Sequence, residues 1–246
     1  MLSSDSSFAD IEASPREGAV FAIGANEQHG RHLGLCTDTV IGGALAQKIA
    51  EAFDWYLLPP LPFGTSLEHI DFPGTVTLSA ATLAAVVREV AASLRRQGFR
   101  NLVIVSGHGG NWILKPTVRE INLEFPQGPR VLLVDTEVFY YPLVDRPGFH
   151  HGGEYETAMM LYLRSQAVQM ERAAGAGAEP DLPRAMLDCV SLRKVLPGGA
   201  WGAPEKATLE MGRSLFERAA GYCVEYTRSM LKSLDAVNQN DSPKKS

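Results

Sequence analysis

Apolar residues fall in short blocks between glycines and prolines, and these blocks alternate with longer stretches of helical period. Positions 18–24 (GAVFAIG), 101–106 (NLVIVS) and 130–135 (RVLLVD) are brief and almost uniformly apolar. Blocks of that kind predict strands buried on both faces of a parallel sheet, and a further strand is expected over 55–58. Val40, Ile41, Ala44, Leu45, Ile49 and Ala50 recur every three or four positions, which predicts a helix over 38–53 capped by Thr37. Leu83, Val86, Val87, Val90 and Leu94 stripe a second helix over 79–97 that ends at Gly98. Further helices are expected over 112–125, 155–163 and 207–234. Strand, glycine turn, helix, strand is a βαβ rhythm, so the fold class is α/β with a mostly parallel sheet.

Three stretches resist this pattern. Residues 59–74 hold Pro59, Pro60, Pro62, Gly64, His69, Pro73 and Gly74, a loop long enough to line a site. Residues 173–183 are rich in Ala, Gly and Pro and read as a mobile connection. Residues 238–246 are polar and expected to be disordered, which leaves one domain over 1–237.

The chain has 246 residues and a formal net charge of −5. That charge gives no attraction to nucleic acid or to an anionic membrane, and no apolar run reaches the roughly 18 residues of a membrane span. Cys36, Cys189 and Cys223 are widely spaced without a CxxC pair, which argues against a zinc ribbon or a disulfide framework. The polar start lacks the features of a secretion signal, so a cytoplasmic location is expected.

Chemistry-bearing residues concentrate just after the strands. All six histidines lie between positions 29 and 151. Glu27 and His29 are two apart, so in extended chain they leave the same face, and Asp38 can return to them after a short loop. His108 sits in Gly107-His108-Gly109-Gly110-Asn111, directly after a predicted strand. Ligands bind beyond the carboxyl ends of such strands. His150-His151-Gly152-Gly153-Glu154-Tyr155-Glu156-Thr157 is a third group, in which Glu154 and Glu156 cannot share a helix face and should have separate jobs. Carboxylates mixed with imidazoles suit a divalent metal centre for hydrolysis. The glycine-rich turn lacks the lysine and spacing of a phosphate loop. Ser106 next to His108 lacks the nucleophile-elbow pattern of a serine hydrolase, and Cys36 reads as a small buried thiol.

Taken together these segments resemble the creatininase (creatinine amidohydrolase) family. Its pattern of E-x-H-G-x-H-L, T-D, G-H-G-G-N and H-A-G-E-x-E-T appears as Glu27 to Leu33, Thr37-Asp38, Gly107 to Asn111 and His151 to Thr157, and Gly202 to Ala207 matches its closing motif. The resemblance implies a three-layer α/β/α sandwich, usually a homohexamer, with two divalent metals, zinc, manganese or iron. It implies hydrolysis of a carbon–nitrogen bond in a small-molecule amide, whether a cyclic amide, a formamide or a peptide-like substrate, with the enzyme classed among those acting on carbon–nitrogen bonds other than peptide bonds. It also implies that Glu27 and His108 hold one metal, His29 the other, that Asp38 bridges them, and that His151 gives a proton to the leaving nitrogen. Creatininase has a further glutamate ligand two residues after the histidine of the third segment. Here that position is Gly110, so either Glu154 completes the site, in both a metal-binding and a catalytic role, or one metal is weakly held. Relatives act on creatinine, on a formamide of flavin biosynthesis, or on the peptide precursor of a redox cofactor. Tyr140, Tyr141 and Arg146 are expected to contact substrate. The same metals could instead polarise the carbonyl of a sugar or cyclitol ketone, for a hydrolase or isomerase that releases no amine.

Overall fold

The computed structural model describes residues 1–136 and 151–240. A short α1 (Phe8–Glu12) precedes β1 (Ala19–Ile23), α2 (Thr37–Phe53), β2 (Tyr56–Leu57), α3 (Ala80–Arg96), β3 (Asn101–Ser106), α4 (Leu114–Glu124) and β4 (Arg130–Asp135). The second part of the chain holds α5 (Glu154–Arg164), β5 (Gly177–Ala178), α6 (Leu192–Val195), β6 (Ala200–Trp201) and α7 (Leu209–Asn240). The central sheet runs β2-β1-β3-β4, all parallel, with Ile23 level with Ser106 and Ser106 level with Asp135. All the strand ends that matter for the site therefore open on one edge.

Strand residues alternate between two cores, as a period of two requires. Val20, Ala22, Val103, Val105 and Val134 pack against Ile41, Leu45 and Ile49 of α2, Met159 and Met160 of α5, and Phe216 of α7. Ala19, Phe21, Ile23, Leu102 and Ile104 pack the other way, against Leu83 and Val87 of α3 and Leu114 and Ile121 of α4. Each fully buried large side chain of this kind contributes roughly 1.5–3 kcal/mol. The result is the expected three-layer α/β/α sandwich.

Strand and helix positions follow the hydrophobic pattern closely, with three differences. Thr37 is the first helical residue and not the cap; Cys36 occupies the cap position, and the Thr37 hydroxyl donates to the Gly34 carbonyl at 2.8 Å. The connection over 173–183 is partly ordered, since β5 pairs in parallel with β6, Gly177 level with Ala200. Helix α7 runs on to Asn240, past the expected start of the tail at 238. No helix among the described residues is long and apolar enough to cross a membrane.

Candidate metal centre

Three segments meet where β1 and β3 end. After β1 the chain turns through Glu27, whose amide donates to Leu35 O at 3.1 Å, and re-enters structure as α2, so Asp38 lies in the first helical turn. A carboxylate there is favoured by the positive end of the helix dipole. Gly107, just past β3, lets α2 approach: a β-carbon at 107 would collide with the Asp38 carbonyl oxygen, and one at Gly42 would lie 3.1 Å from the Gly107 Cα. That close packing delivers His108 to Asp38. His151 arrives on the far side, held by exchanged backbone bonds with Trp201, and α5 begins three residues later.

Two overlapping groups result. Glu27, Asp38 and His108 have donor atoms within 4.8 Å of one another, and so do His29, Asp38 and Glu156; Asp38 belongs to both. His29 Nε2 is 2.9 Å from Asp38 Oδ1 and 3.7 Å from Glu156 Oε1. His108 Nε2 is 3.0 Å from Glu27 Oε2, and its Nδ1 is 3.4 Å from Asp38 Oδ2. A third group joins Glu27, His29 and His151. All but the half-buried Glu156 are buried. Both carboxylate oxygens of Glu27 and the Oδ2 of Asp38 are fully buried without a hydrogen bond, although imidazole nitrogens stand close by. Buried acceptors in that condition are costly unless a cation meets them, so the residues fit a metal centre.

The electrostatics carry the same message. Burial pushes the Glu27 carboxyl up to about 8, with Asp38 and Glu68 adding to the effect and His108 and His29 opposing it. Burial also opposes a charge on His108, but Glu27, Asp38 and Glu68 outweigh it and lift that imidazole to about 9. His29 is raised in the same way by Asp38 and Glu156, against its burial. Burial favours neutral Glu156, yet His29, His151 and the Gly152 N–H hold it down at about 2. Without cations, His29, His108 and Glu156 use neighbouring charge to stay ionised, whereas burial favours a neutral Glu27.

The third segment departs from expectation. Glu154, expected at the metals, turns away: its Oε2 accepts from Ala203 N at 2.7 Å. Glu156 faces His29 and also accepts from the Gly152 amide at 2.6 Å. The two carboxylates meet different partners, and the one beside His29 lies two residues later than expected. Helix geometry explains it, because residues two apart point about 200° apart.

His151 lies among Glu27, His29 and His69. Its Nε2 is 2.6 Å from Gln28 O and its Nδ1 3.7 Å from Glu27 Oε1. A backbone carbonyl at Nε2 fixes the tautomer with the proton on that nitrogen, so the lone pair is on Nδ1. Burial and the His29 charge depress its pKa to about 3, so the ring is neutral. His69, undecided from sequence, is buried with Nε2 3.3 Å from Glu27 Oε1, and its ring centroid is 4.2 Å from that of His151. Gln28 meets both rings, its Nε2 donating to His69 Nδ1 at 3.0 Å and its backbone carbonyl accepting from His151 Nε2.

Three residues of the site had no signal strong enough to pick them out: Gln28, Glu68 and Asn111. Asn111 Oδ1 accepts from Thr65 N at 2.9 Å and its Nδ2 donates to Gly24 O at 3.2 Å, tying the glycine turn to the end of β1. The rival nucleophiles are occupied elsewhere. Ser106 Oγ donates to His108 O at 2.9 Å, and Cys36 Sγ lies 3.8 Å from Arg164 Nη1.

The centre forms the floor of a cavity of about 1140 Å³ whose walls include Leu67, Ile70, Trp112, Tyr155, Arg184 and Lys194. The loop expected to shape the pocket does so through residues 67–71. Tyr140, Tyr141 and Arg146, expected substrate contacts, lie outside the described residues.

A parallel three-layer fold with a carboxylate–imidazole cluster beyond its strand ends defines a metallohydrolase-like class of architecture. The creatinine amidohydrolase family model matches residues 4–227, and the chain belongs to this creatininase family of hydrolases acting on amide bonds. A mycofactocin precursor peptide peptidase from Mycobacterium ulcerans (strain Agy99) is 31% identical over 218 residues, 82% of this chain and 81% of that protein. A creatinine amidohydrolase from Pseudomonas putida is 29% identical over 174 residues, 61% of this chain and 65% of that one. The crystal structure of a creatinine amidohydrolase matches with a TM-score of 0.76 at 25% identity over 99% of both chains.

Proposed function

We propose that this protein is a two-metal amidohydrolase that cuts an amide bond in a peptide-like substrate. The observation that carries the metal centre is Asp38, shared between two donor groups and, like both oxygens of Glu27, holding a buried carboxylate oxygen (Oδ2) without a hydrogen bond. In this reading Glu27, Asp38 and His108 hold one cation and His29, Asp38 and Glu156 the other. Mixed nitrogen and oxygen donors suit zinc, manganese or iron. Bound there, divalent cations lower the pKa of water and polarise the amide carbonyl.

The chain's own residues handle the protons. Water adds its oxygen to the carbonyl carbon and gives a proton to Nδ1 of neutral His151. As the carbon–nitrogen bond breaks, the imidazolium passes that proton to the leaving nitrogen, which departs as an amine. Gln28, through its backbone carbonyl, keeps His151 in the tautomer this needs.

Cavity size favours the peptide-like substrate. Pockets for drug-sized ligands run about 300–1,000 Å³, and this one, at about 1140 Å³, exceeds what a small cyclic amide fills. The 31% identical peptide peptidase supports the same choice. Of the cyclic amide, formamide and peptide-like substrates that the resemblance implies, this reading takes the peptide-like one. Metal-loaded protein incubated with short peptides and with cyclic amides, followed by mass spectrometry, tests the reading. Cleaved peptides with new amino termini are expected. Ring-opening of a cyclic amide with every peptide intact would overturn the substrate class, and turnover of a ketone without amine release would overturn the amide chemistry.

A further inference from the structure

The buried side-chain amide of Gln28 can sit only one way round. Its Oε1 accepts from the Gly30 amide at 2.8 Å, and its Nε2 donates to the Gly199 carbonyl at 3.1 Å. Turned over, it would set N–H against N–H and oxygen against oxygen, leaving buried polar groups unpaired. Gly199 makes the seat possible, because it has a φ of +83° and a β-carbon there would overlap Gln28 Oε1.

The hydrogens of that amide fix the state of His69. An amide nitrogen has two of them, and the first goes to Gly199 O. Two imidazole nitrogens stand 3.0 Å from Gln28 Nε2, namely His69 Nδ1 and His151 Nε2. His151 Nε2 carries a proton of its own, donated to the Gln28 backbone carbonyl at 2.6 Å, so it cannot accept another. The second amide hydrogen therefore belongs to His69 Nδ1. A neutral ring that accepts at Nδ1 has its proton on Nε2, and that is the nitrogen 3.3 Å from Glu27 Oε1.

The other tautomer would put a lone pair against that oxygen, which is buried and accepts no hydrogen bond. Two acceptors facing each other at low dielectric repel. Glu27 presents its second oxygen to the other side, with Oε2 3.0 Å from His108 Nε2. His69, delivered on a short 3-10 turn (Leu67–His69), belongs to none of the three donor groups, so it acts through Glu27 and not on a cation directly.

We infer that the Gln28 side chain and His69 are positioning residues of the metal centre: Gln28 holds the His69 tautomer in which an N–H, and not a lone pair, meets Glu27 Oε1, leaving Oε2 turned toward His108. The inference rests on the two-metal centre proposed above.

Two measurements on the full-length chain test it. Nitrogen NMR of isotope-labelled histidines, with the His69 signals assigned by their loss in either His69 variant, reads which nitrogen carries the proton. Wild type, metal-free and zinc-loaded, should show His69 with Nε2 protonated and Nδ1 bare. Gln28→Glu, whose carboxylate can only accept, should show Nδ1 protonated. Zn²⁺ affinity, measured by competition with a chromogenic chelator, then reads the link to Glu27. His69→Gln, which keeps an N–H near the place of Nε2, should bind both equivalents as wild type does. His69→Asn, whose shorter amide falls short of Glu27, should bind one equivalent about 10- to 100-fold more weakly, the loss typical of an outer-shell partner. A bare Nε2 in wild type, or an unprotonated Nδ1 in Gln28→Glu, would overturn the tautomer. Equal affinities in the two His69 variants would overturn the link to Glu27, whether both match wild type or both are weakened. Wild-type protein that takes up no zinc while the NMR result holds would instead sink the two-metal centre itself, so the failures are distinguishable.

Discussion

A carboxylate buried among imidazoles is stable only if something cationic keeps it company, and Glu27, Asp38 and Glu156 each solve that problem through a particular histidine. Glu156 is the one that sequence reasoning passed over. It and Glu154 sit in one motif with equal claim, and only the helix phase separates them: Glu156 turns to His29 while Glu154 takes the Ala203 amide. The two variants should therefore differ in kind. Glu156→Gln is expected to weaken one metal equivalent by at least 10-fold, whereas Glu154→Gln should keep both and lower stability by about 1–3 kcal/mol, the cost of weakening a buried charged hydrogen bond. Elemental analysis beside chemical denaturation of the metal-free proteins reads both effects, and the reverse pattern would return the metal-facing role to Glu154. Glu27, His29, Asp38 and His108 were legible because each follows a strand or opens a helix at short spacing. Glu68 and His69 were not, because they come from a loop whose path no periodicity describes.

At the level of elements, the hydrophobic pattern located every described strand of the central sheet, since blocks such as 101–106 are apolar on both faces and bounded by breakers. The helices followed from stripes such as Leu83, Val87 and Leu94, which face one core. What the pattern could not show was long-range clamping. Asn111 joins three segments by its side-chain amide, and Gln28 meets two histidine rings, one through its amide and one through its backbone carbonyl; both are single polar residues without a spacing rule. The ordered pairing of β5 with β6 was equally invisible, because two-residue strands in an Ala/Gly stretch carry almost no alternation. The start of α2 misread by one residue has a local cause: Thr37 spends its hydroxyl on Gly34 O and caps nothing.

For the molecule as a whole, a buried histidine away from the proposed ligands sets an acid limit. His32 Nε2 lies 2.8 Å from Thr157 Oγ1, whose own hydroxyl donates to Gly153 O, so Nε2 must be the donor. Its Nδ1 is buried without a partner. A second proton would have no acceptor, and burial, with the His29 charge, lowers the pKa to about 4. In the unfolded chain the value is about 6.5. The unfolded state thus takes up the proton first as pH falls, so the stabilisation is complete above about pH 6.5 and is lost progressively toward pH 4. Denaturation of metal-free protein at pH 7 and pH 5 should show a drop that His32→Gln reduces; an unchanged drop in the variant would assign the acid sensitivity elsewhere.

The central claim is that one buried carboxylate joins two cations. Metal content of purified, metal-loaded protein tests it most directly, with wild type set beside Asp38→Ala. Two equivalents per chain in wild type and loss of roughly both in Asp38→Ala are predicted, because Asp38 belongs to both donor groups. Full metal content in Asp38→Ala, or none in wild type, would contradict the account.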